Sequence, residues 1–324
     1  MDKLGFIARR LLQGLAALLL IAVMNFMLVR AAPGDPATVM AGESGAADEV
    51  FLQQLRERFD LDKPLPTQLV TYLGNLARLD LGISYRQQVP VLDLILERLP
   101  ATLLLTGSAF LMSLVMGVAL GVWASTRVGT WKDSAISVLS TIFYATPLYW
   151  LALLAVLVFS VWLPWLPAFG YQTIGGGHEG LARWLDIGHH LILPTLVLSM
   201  FYMAIYARMT RASMLEVANQ DFVKTAHAKG LPPGRVLRAH VLRNALLPVV
   251  TLAGLQAGAM VGGAVLIETV FAWPGIGRLL FDALTQRDYS LLLGTFLVTA
   301  ALAVTFNVIT DLVYTLVDPR IELS

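Results

Sequence analysis

The chain of 324 residues has no cysteine, and only 14% of it is charged against 57% hydrophobic. A soluble domain carries roughly 25% charged residues, so too few are present to coat a water-facing surface. The lack of cysteine excludes a disulfide framework, an iron–sulfur site, a thiol nucleophile and a Cys-ligated zinc, and it leaves the redox compartment open. The formal net charge is +1, which gives no basic surface for nucleic acid. No Gly-x-x-x-x-Gly-Lys-Ser/Thr loop occurs to cradle nucleotide phosphates. His-Glu-x-x-His and Gly-x-Ser-x-Gly are missing too, so metalloprotease and serine hydrolase chemistry have no support.

Long apolar runs are what the chain does have, at 11–29, 101–124, 134–163, 191–207, 244–267 and 290–310. Crossing a bilayer takes about 20 mainly apolar residues per helix. The expected fold is therefore an all-α membrane protein of six transmembrane helices. No Asp, Glu, Lys or Arg lies between Asp133 and Glu179, which leaves the ends of the third span loosely defined. Pro147, Pro194 and Pro248 sit in or at the mouths of spans, where kinks are expected. The first run is longer than the roughly 7–15 residues of a signal h-region, and it reads as a retained anchor.

Basic residues give the orientation. With the amino terminus inside, segments 1–10, 125–133, 208–243 and 311–324 hold 13 Lys/Arg and 7 Asp/Glu, and the outside segments hold 10 and 15. Both termini are thus expected in the cytoplasm, and the near-neutral total is a cancellation. The division expected is a cytoplasmic start and first span (1–30), an external domain (31–98), a five-helix core (99–317) and a cytoplasmic tail (318–324). Within the external stretch, Phe51–Phe59 and Thr67–Leu79 read as short helices. Gln88–Leu99 reads as a third, lying on the membrane surface before Pro100 opens the second span. The stretch could serve as cap, docking surface or spacer.

Gly117 and Gly121, then Gly254, Gly258 and Gly262, recur at the four-residue spacing that lets helix backbones approach. Packing within the subunit and packing against a partner subunit both fit. Glu268 ends the fifth span on the outer side, where a gate contact and interfacial solvation are equally open. Asp311, near the inner end of the last span, reads as a structural acid or a proton relay. His178, His189 and His190 lack a neighbouring ligand set and read as interfacial rather than metal-binding. Tyr144, Tyr149, Tyr202, Tyr206, Asn25, Gln256 and Asn307 are polar groups within spans, some of which could line a path.

The segment 208–243 carries the most information. Leu215, Ala218, Phe222 and Ala226 form one apolar stripe at helical spacing, with Asp221, Lys224 and Lys229 off it. Lys229-Gly230 supplies a basic last turn and a glycine for the left-handed position, and Pro232-Pro233 stop the helix. A second helix starts near Gly234-Arg235 and runs through Val236, Leu237, His240 and Val241 into the fifth span. A push on this turn would move the span as a lever. An interfacial helix on anionic lipid fits the same residues.

Residues 221–251 (Asp-Phe-Val-Lys-Thr-Ala-His-Ala-Lys-Gly-Leu-Pro-Pro-Gly-Arg, continuing to Leu-Leu-Pro-Val-Val-Thr) resemble the ATPase-coupling loop of bacterial ABC importer permeases, dipeptide/oligopeptide/nickel branch. Pro33-Gly34-Asp35-Pro36, the block Glu268-Thr269-Val270-Phe271-Ala272-Trp273-Pro274-Gly275-Ile276-Gly277 and Asp318-Pro319-Arg320 are similar to that branch too. The resemblance implies a type I importer permease-like fold and no enzymatic activity in this chain. ATP and Mg would be held by two partner ATP-binding subunits. It further implies a second permease subunit, a periplasmic or lipid-anchored binding protein, and a multi-pass place in the lipid of the bacterial inner membrane. By position, Ala226 and Gly230 take the loop's Ala and Gly and Pro248 its closing Pro, and the coupling set is Asp221, Lys224, Ala226, Lys229, Gly230 and Arg235. Lys224 stands where many members have Glu. The implied cargo is a di- or oligopeptide. Nickel, glutathione or another small solute is the alternative within the class. An ion-coupled secondary transporter fits less well, because the halves show no repeat and intramembrane acids are few.

Overall fold

The computed structural model describes residues 3–31, 49–58, 62–177 and 179–317, and among them there are helices and no strands. The helices are α1 (Lys3–Ala31), α2 (Glu49–Arg58), α3 (Leu65–Ala77), α4 (Val91–Ser125), α5 (Trp131–Ala145) and α6 (Leu148–Trp162, its last turns π-helical). They continue with α7 (Gly180–Ala218), α8 (Asp221–Ala228), α9 (Pro233–Val270), α10 (Ile276–Thr285) and α11 (Tyr289–Val317). Five of these are long and apolar enough to cross a membrane, and α5 with α6 makes a sixth if the bent pair is one span.

Two expectations need correction. Gln88–Leu99 is not a separate surface helix. An isolated bridge pairs Ile83 with Pro90, and from Val91 the chain is one helix to Ser125, with Pro100 inside it. Proline lacks an N–H and ordinarily interrupts a helix interior, but here Leu94, Ile95, Ala101 and Leu105 are all buried, and packing on both sides holds the helix together. The third run, 134–163, is not one straight helix. It breaks at Thr146-Pro147, and its halves meet at 104°. Pro194 and Pro248, by contrast, lie inside continuous helices.

The centre of the bundle is α7, two-thirds of whose apolar window is buried, against 22% for α1 and 17% for α11. Its close neighbours are reached through missing side chains. A Cβ on Gly117 would lie 2.6 Å from Tyr206 Cβ, and one on Gly121 would lie 2.7 Å from the Ala207 carbonyl. Gly254 and Gly258 seat α9 against Thr310, Asn307 and the Ala303 carbonyl of α11 in the same way. Four of the five spaced glycines therefore serve packing within this chain. Gly262 is exposed with nothing near it. The main core gathers Leu105, Leu193, Val197, Leu198, Tyr206, Val249, Met260, Ile267 and Trp273 from α4, α7, α9 and the turn after α9.

Candidate functional site

At one end of the bundle the chain leaves α7 at Asn219 and re-enters a long helix at Pro233, so only Asn219–Pro232 of the 208–243 segment lies outside the two long helices. The stripe of Leu215, Ala218, Phe222 and Ala226 does not run along one helix. The helix stops at Ala218, and α8 starts afresh after Gln220. Met214 and Val217 are the buried positions before the break, where Ala218 is exposed, and the buried face changes phase across it. Val223 and Ala226 point inward, and Phe222 is left exposed. Beneath them Met214, Val217, Val236, Val241 and Ala245 complete a closed apolar cluster, with Val122 of α4 packed on it. This elbow is thereby bolted to three long helices.

Its outer surface is Asp221, Phe222, Lys224, Thr225, His227, Ala228, Lys229 and Gly230, all exposed. Asp221 stands in the first turn of α8, where a carboxylate favours the helix dipole, and it accepts from Lys224 Nζ at 2.9 Å. The turn that follows is a Schellman motif. Gly230 N–H donates to the His227 carbonyl at 2.9 Å and Leu231 N–H to that of Ala226 at 3.4 Å, with Gly230 at φ +74°. Leu231 packs back onto the cluster. No atom lies within 4 Å of where a Gly230 Cβ would be, so the residue is required for its backbone angle and not for room. Pro232 caps and Pro233 opens the next helix, where a missing N–H costs nothing. Arg235 is exposed on that first turn. The six residues of the expected coupling set are spread over α8, the turn after it and the first turn of α9. Ala226 faces inward and the other five face solvent.

The opposite end is organised around Glu268, which has no exposed surface. Interfacial solvation therefore does not describe it. Its carboxylate accepts from Thr102 Oγ1 at 2.8 Å and from Arg278 N–H at 3.0 Å, so an α4 hydroxyl and the first turn of α10 close on one buried acid. Thr102 Oγ1 in turn accepts from Ile276 N–H at 2.8 Å. Trp273, fully buried, donates its indole N–H to the Ala101 carbonyl at 2.8 Å. Ala272 takes a left-handed φ of +51° to make this turn. A Cβ on Gly275 would collide with the Glu268 carboxylate, and one on Gly277 would come within 2.6 Å of Val265 Cα. Nearby, Asp288 accepts from Ser84 Oγ at 2.6 Å and from Leu291 N–H at 3.2 Å, which fastens the 82–90 segment to the start of α11.

Other flagged residues have ordinary roles. His189 and His190 pair with the carbonyls of Trp165 and Asp186, and among the described residues no group of three or more His, Asp or Glu could hold a metal. Tyr202, Tyr206 and Asn25 are buried, whereas Tyr144 and Tyr149 are exposed. His178, Pro33–Pro36, Asp318–Arg320 and the Asp311 side chain lie outside the described residues. Sequence reading passed over Val223, Thr102 and the pair Asp133 and Arg211. The one available signal was Asp133 itself, the last charge before a long uncharged run.

Comparison with known proteins completes the picture. Residues 117–323 match the family described as binding-protein-dependent transport system inner membrane component, and residues 3–106 match its N-terminal counterpart. The chain is 41% identical over 317 residues to a probable peptide ABC transporter permease protein of Sinorhizobium fredii, covering 98% of this chain and 99% of the relative. It is 40% identical over 335 residues to a di/tripeptide transport system permease protein of Pseudomonas aeruginosa, with 98% and 99% covered. An oligopeptide transport system permease protein of Bacillus subtilis is 40% identical over 319 residues, with the same coverage. Among solved structures, the inward-facing MetNI methionine ABC transporter matches with a TM-score of 0.54 at 18% identity, over 70% of this chain and 97% of that chain. That likeness establishes the fold. A helical bundle with five or six apolar spans, matched by the family along nearly its whole length, belongs to the inner membrane components of binding-protein-dependent transport systems.

Proposed function

We propose that this chain is one of two permease subunits of an ATP-driven importer that carries di- and oligopeptides across the bacterial inner membrane by alternating access. The observation that carries the reading is the elbow. It presents a solvated face of charged residues and Phe222, it is fixed underneath by an apolar cluster, and it is continuous with α9. Two partner subunits hold ATP and Mg and seat this elbow, so their closure displaces Gly230 and, with it, α9. ATP drives transport only insofar as the elbow meets the partners differently in the two states. The peptide cargo is supported by the names of the relatives.

The elbow lies in the cytoplasm and the Glu268 end faces outward, as the distribution of basic residues favours. Residues 31–98 are external, and 318–324 are the cytoplasmic tail. A second permease completes the path, and a periplasmic or lipid-anchored binding protein delivers peptide to the outer face.

Gly230→Pro forces φ from positive to about −65° and should abolish substrate-stimulated ATP hydrolysis in the reconstituted importer while membrane insertion persists. Normal stimulation would overturn the docking role. A reporter enzyme fused within 43–49 should be active only outside the cytoplasm. Calorimetric titration of the partner binding protein with dipeptides, nickel and glutathione decides the cargo, and binding of the metal or glutathione alone would replace peptide as the substrate.

A further inference from the structure

The helix α5 is attached in an unusual way. Of its fifteen residues only Asp133 and Ser140 are buried, and Val138, Leu139 and Ile142 are exposed. An apolar stripe against the core is the usual anchor of such a helix. Here the anchor is polar. Arg211 of α7 meets Asp133 with a two-pronged pair, Nε to Oδ1 at 2.7 Å and Nη2 to Oδ2 at 2.8 Å. Gly129 N–H adds a third contact to Oδ2 at 3.3 Å. One turn before Arg211, the Arg208 guanidinium lies over the Tyr144 ring at 4.3 Å, and that ring also stacks on Phe201. All these partners on the far side belong to α7.

The other half of the bent pair is held differently. Ala152 is fully buried and Leu148, Leu151, Ala155 and Phe159 pack into the main core. The 104° break at Thr146-Pro147 therefore separates a half fixed in the core from a half pinned to α7. From Arg211 the helix runs uninterrupted to Ala218, about 10 Å at 1.5 Å per residue, and the elbow begins directly after it. A displacement of the elbow reaches Arg211 along a rigid rod, and α5 has a hinge at its other end.

We infer that the Asp133–Arg211 pair is the strut through which the elbow moves α5, so that both are positioning residues for coupling ATP hydrolysis to transport. The inference rests on the elbow meeting the ATPases, as proposed above. A guanidinium suits the task because its planar fork fixes the angle of the carboxylate as well as its distance.

The test uses the whole importer in liposomes, with peptide uptake, ATP hydrolysis and quantity of assembled complex measured together for Asp133→Asn, Arg211→Gln and the exchange Asp133→Arg with Arg211→Asp. Each single variant should assemble and hydrolyse ATP while peptide moved per ATP falls by about tenfold or more, within the range of ordinary coupling energies. The exchange should recover much of that ratio. An unchanged ratio, or a loss of uptake that only mirrors a loss of complex, overturns the strut. Gly230→Pro is run alongside. If it uncouples and the Asp133 variant does not, the strut alone fails, and if neither uncouples, the elbow reading fails. Because this chain has no cysteine, a second measurement places spin labels at Val138→Cys and Ala212→Cys, with any reactive cysteines of the partner subunits replaced. Their separation should be the same without nucleotide and with trapped ATP, and a change beyond about 5 Å, one helical turn, overturns the proposal.

Discussion

The two ends of this bundle solve opposite problems. At the Glu268 end polar atoms are buried and paired across helices, and two glycines stand where no Cβ fits. At the elbow the polar groups are exposed, the one ion pair is a surface contact, and the glycine has open space around it. The first end is a fitted joint whose parts specify one another. The second is a projecting handle, rigid beneath through Val223 and Ala226 and open to solvent above. Substitutions at the joint should therefore act on stability, and substitutions at the handle on coupling with little change in stability.

The largest effect should come from Glu268→Ala, which strands the Thr102 hydroxyl and the Arg278 N–H. At about 1–3 kcal/mol per stranded donor the loss is about 2–6 kcal/mol, visible as a lower unfolding temperature in detergent. Glu268→Gln keeps one acceptor and should lose less. Next comes Gly277→Ala, where the obstacle is backbone and cannot rotate away, with a loss of about 1–3 kcal/mol. Gly230→Ala should cost about 1 kcal/mol from its left-handed angle alone, and Gly230→Asn less, because asparagine tolerates that angle. The smallest is Lys224→Ala. A strongly exposed pair contributes less than about 0.5 kcal/mol, so unfolding should be unchanged while ATPase stimulation falls. The comparison would break if Lys224→Ala destabilised the chain as much as Gly277→Ala.

Sequence alone revealed the elbow because its cues are local. Gly230 followed by two prolines dictates a helix stop whatever surrounds it. The spans were equally legible, since hydropathy sums over neighbours. The phase of α8 was not, because periodicity carried through Asn219 and Gln220 with no proline or glycine to mark the break, and the helix that follows takes its own phase. The Glu268 joint was hidden for a different reason. Thr102 lies 166 positions from Glu268, and a threonine inside an apolar run looks the same whether or not a carboxylate meets it. The pairing of Asp133 with Arg211, 78 positions away, was hidden in the same way, although Asp133 stood out as the last charge before an uncharged run. The surface helix expected before Pro100 failed because proline was read by propensity, whereas burial on both sides governed the outcome.

The hydroxyls along the spans have a bearing on biogenesis. Thr106, Ser113, Thr141, Ser199, Thr251, Thr299 and Thr305 each donate to a carbonyl three or four residues earlier in their own helix. Each of these groups is satisfied before any neighbour arrives, so its helix can enter lipid alone. Other polar side chains lack that independence. Asn25 needs the Leu293 carbonyl, Asp133 needs Arg211, and Glu268 needs α4 and α10. These sites name helix pairs that must find each other during insertion, and the first of them makes α11 indispensable to α1.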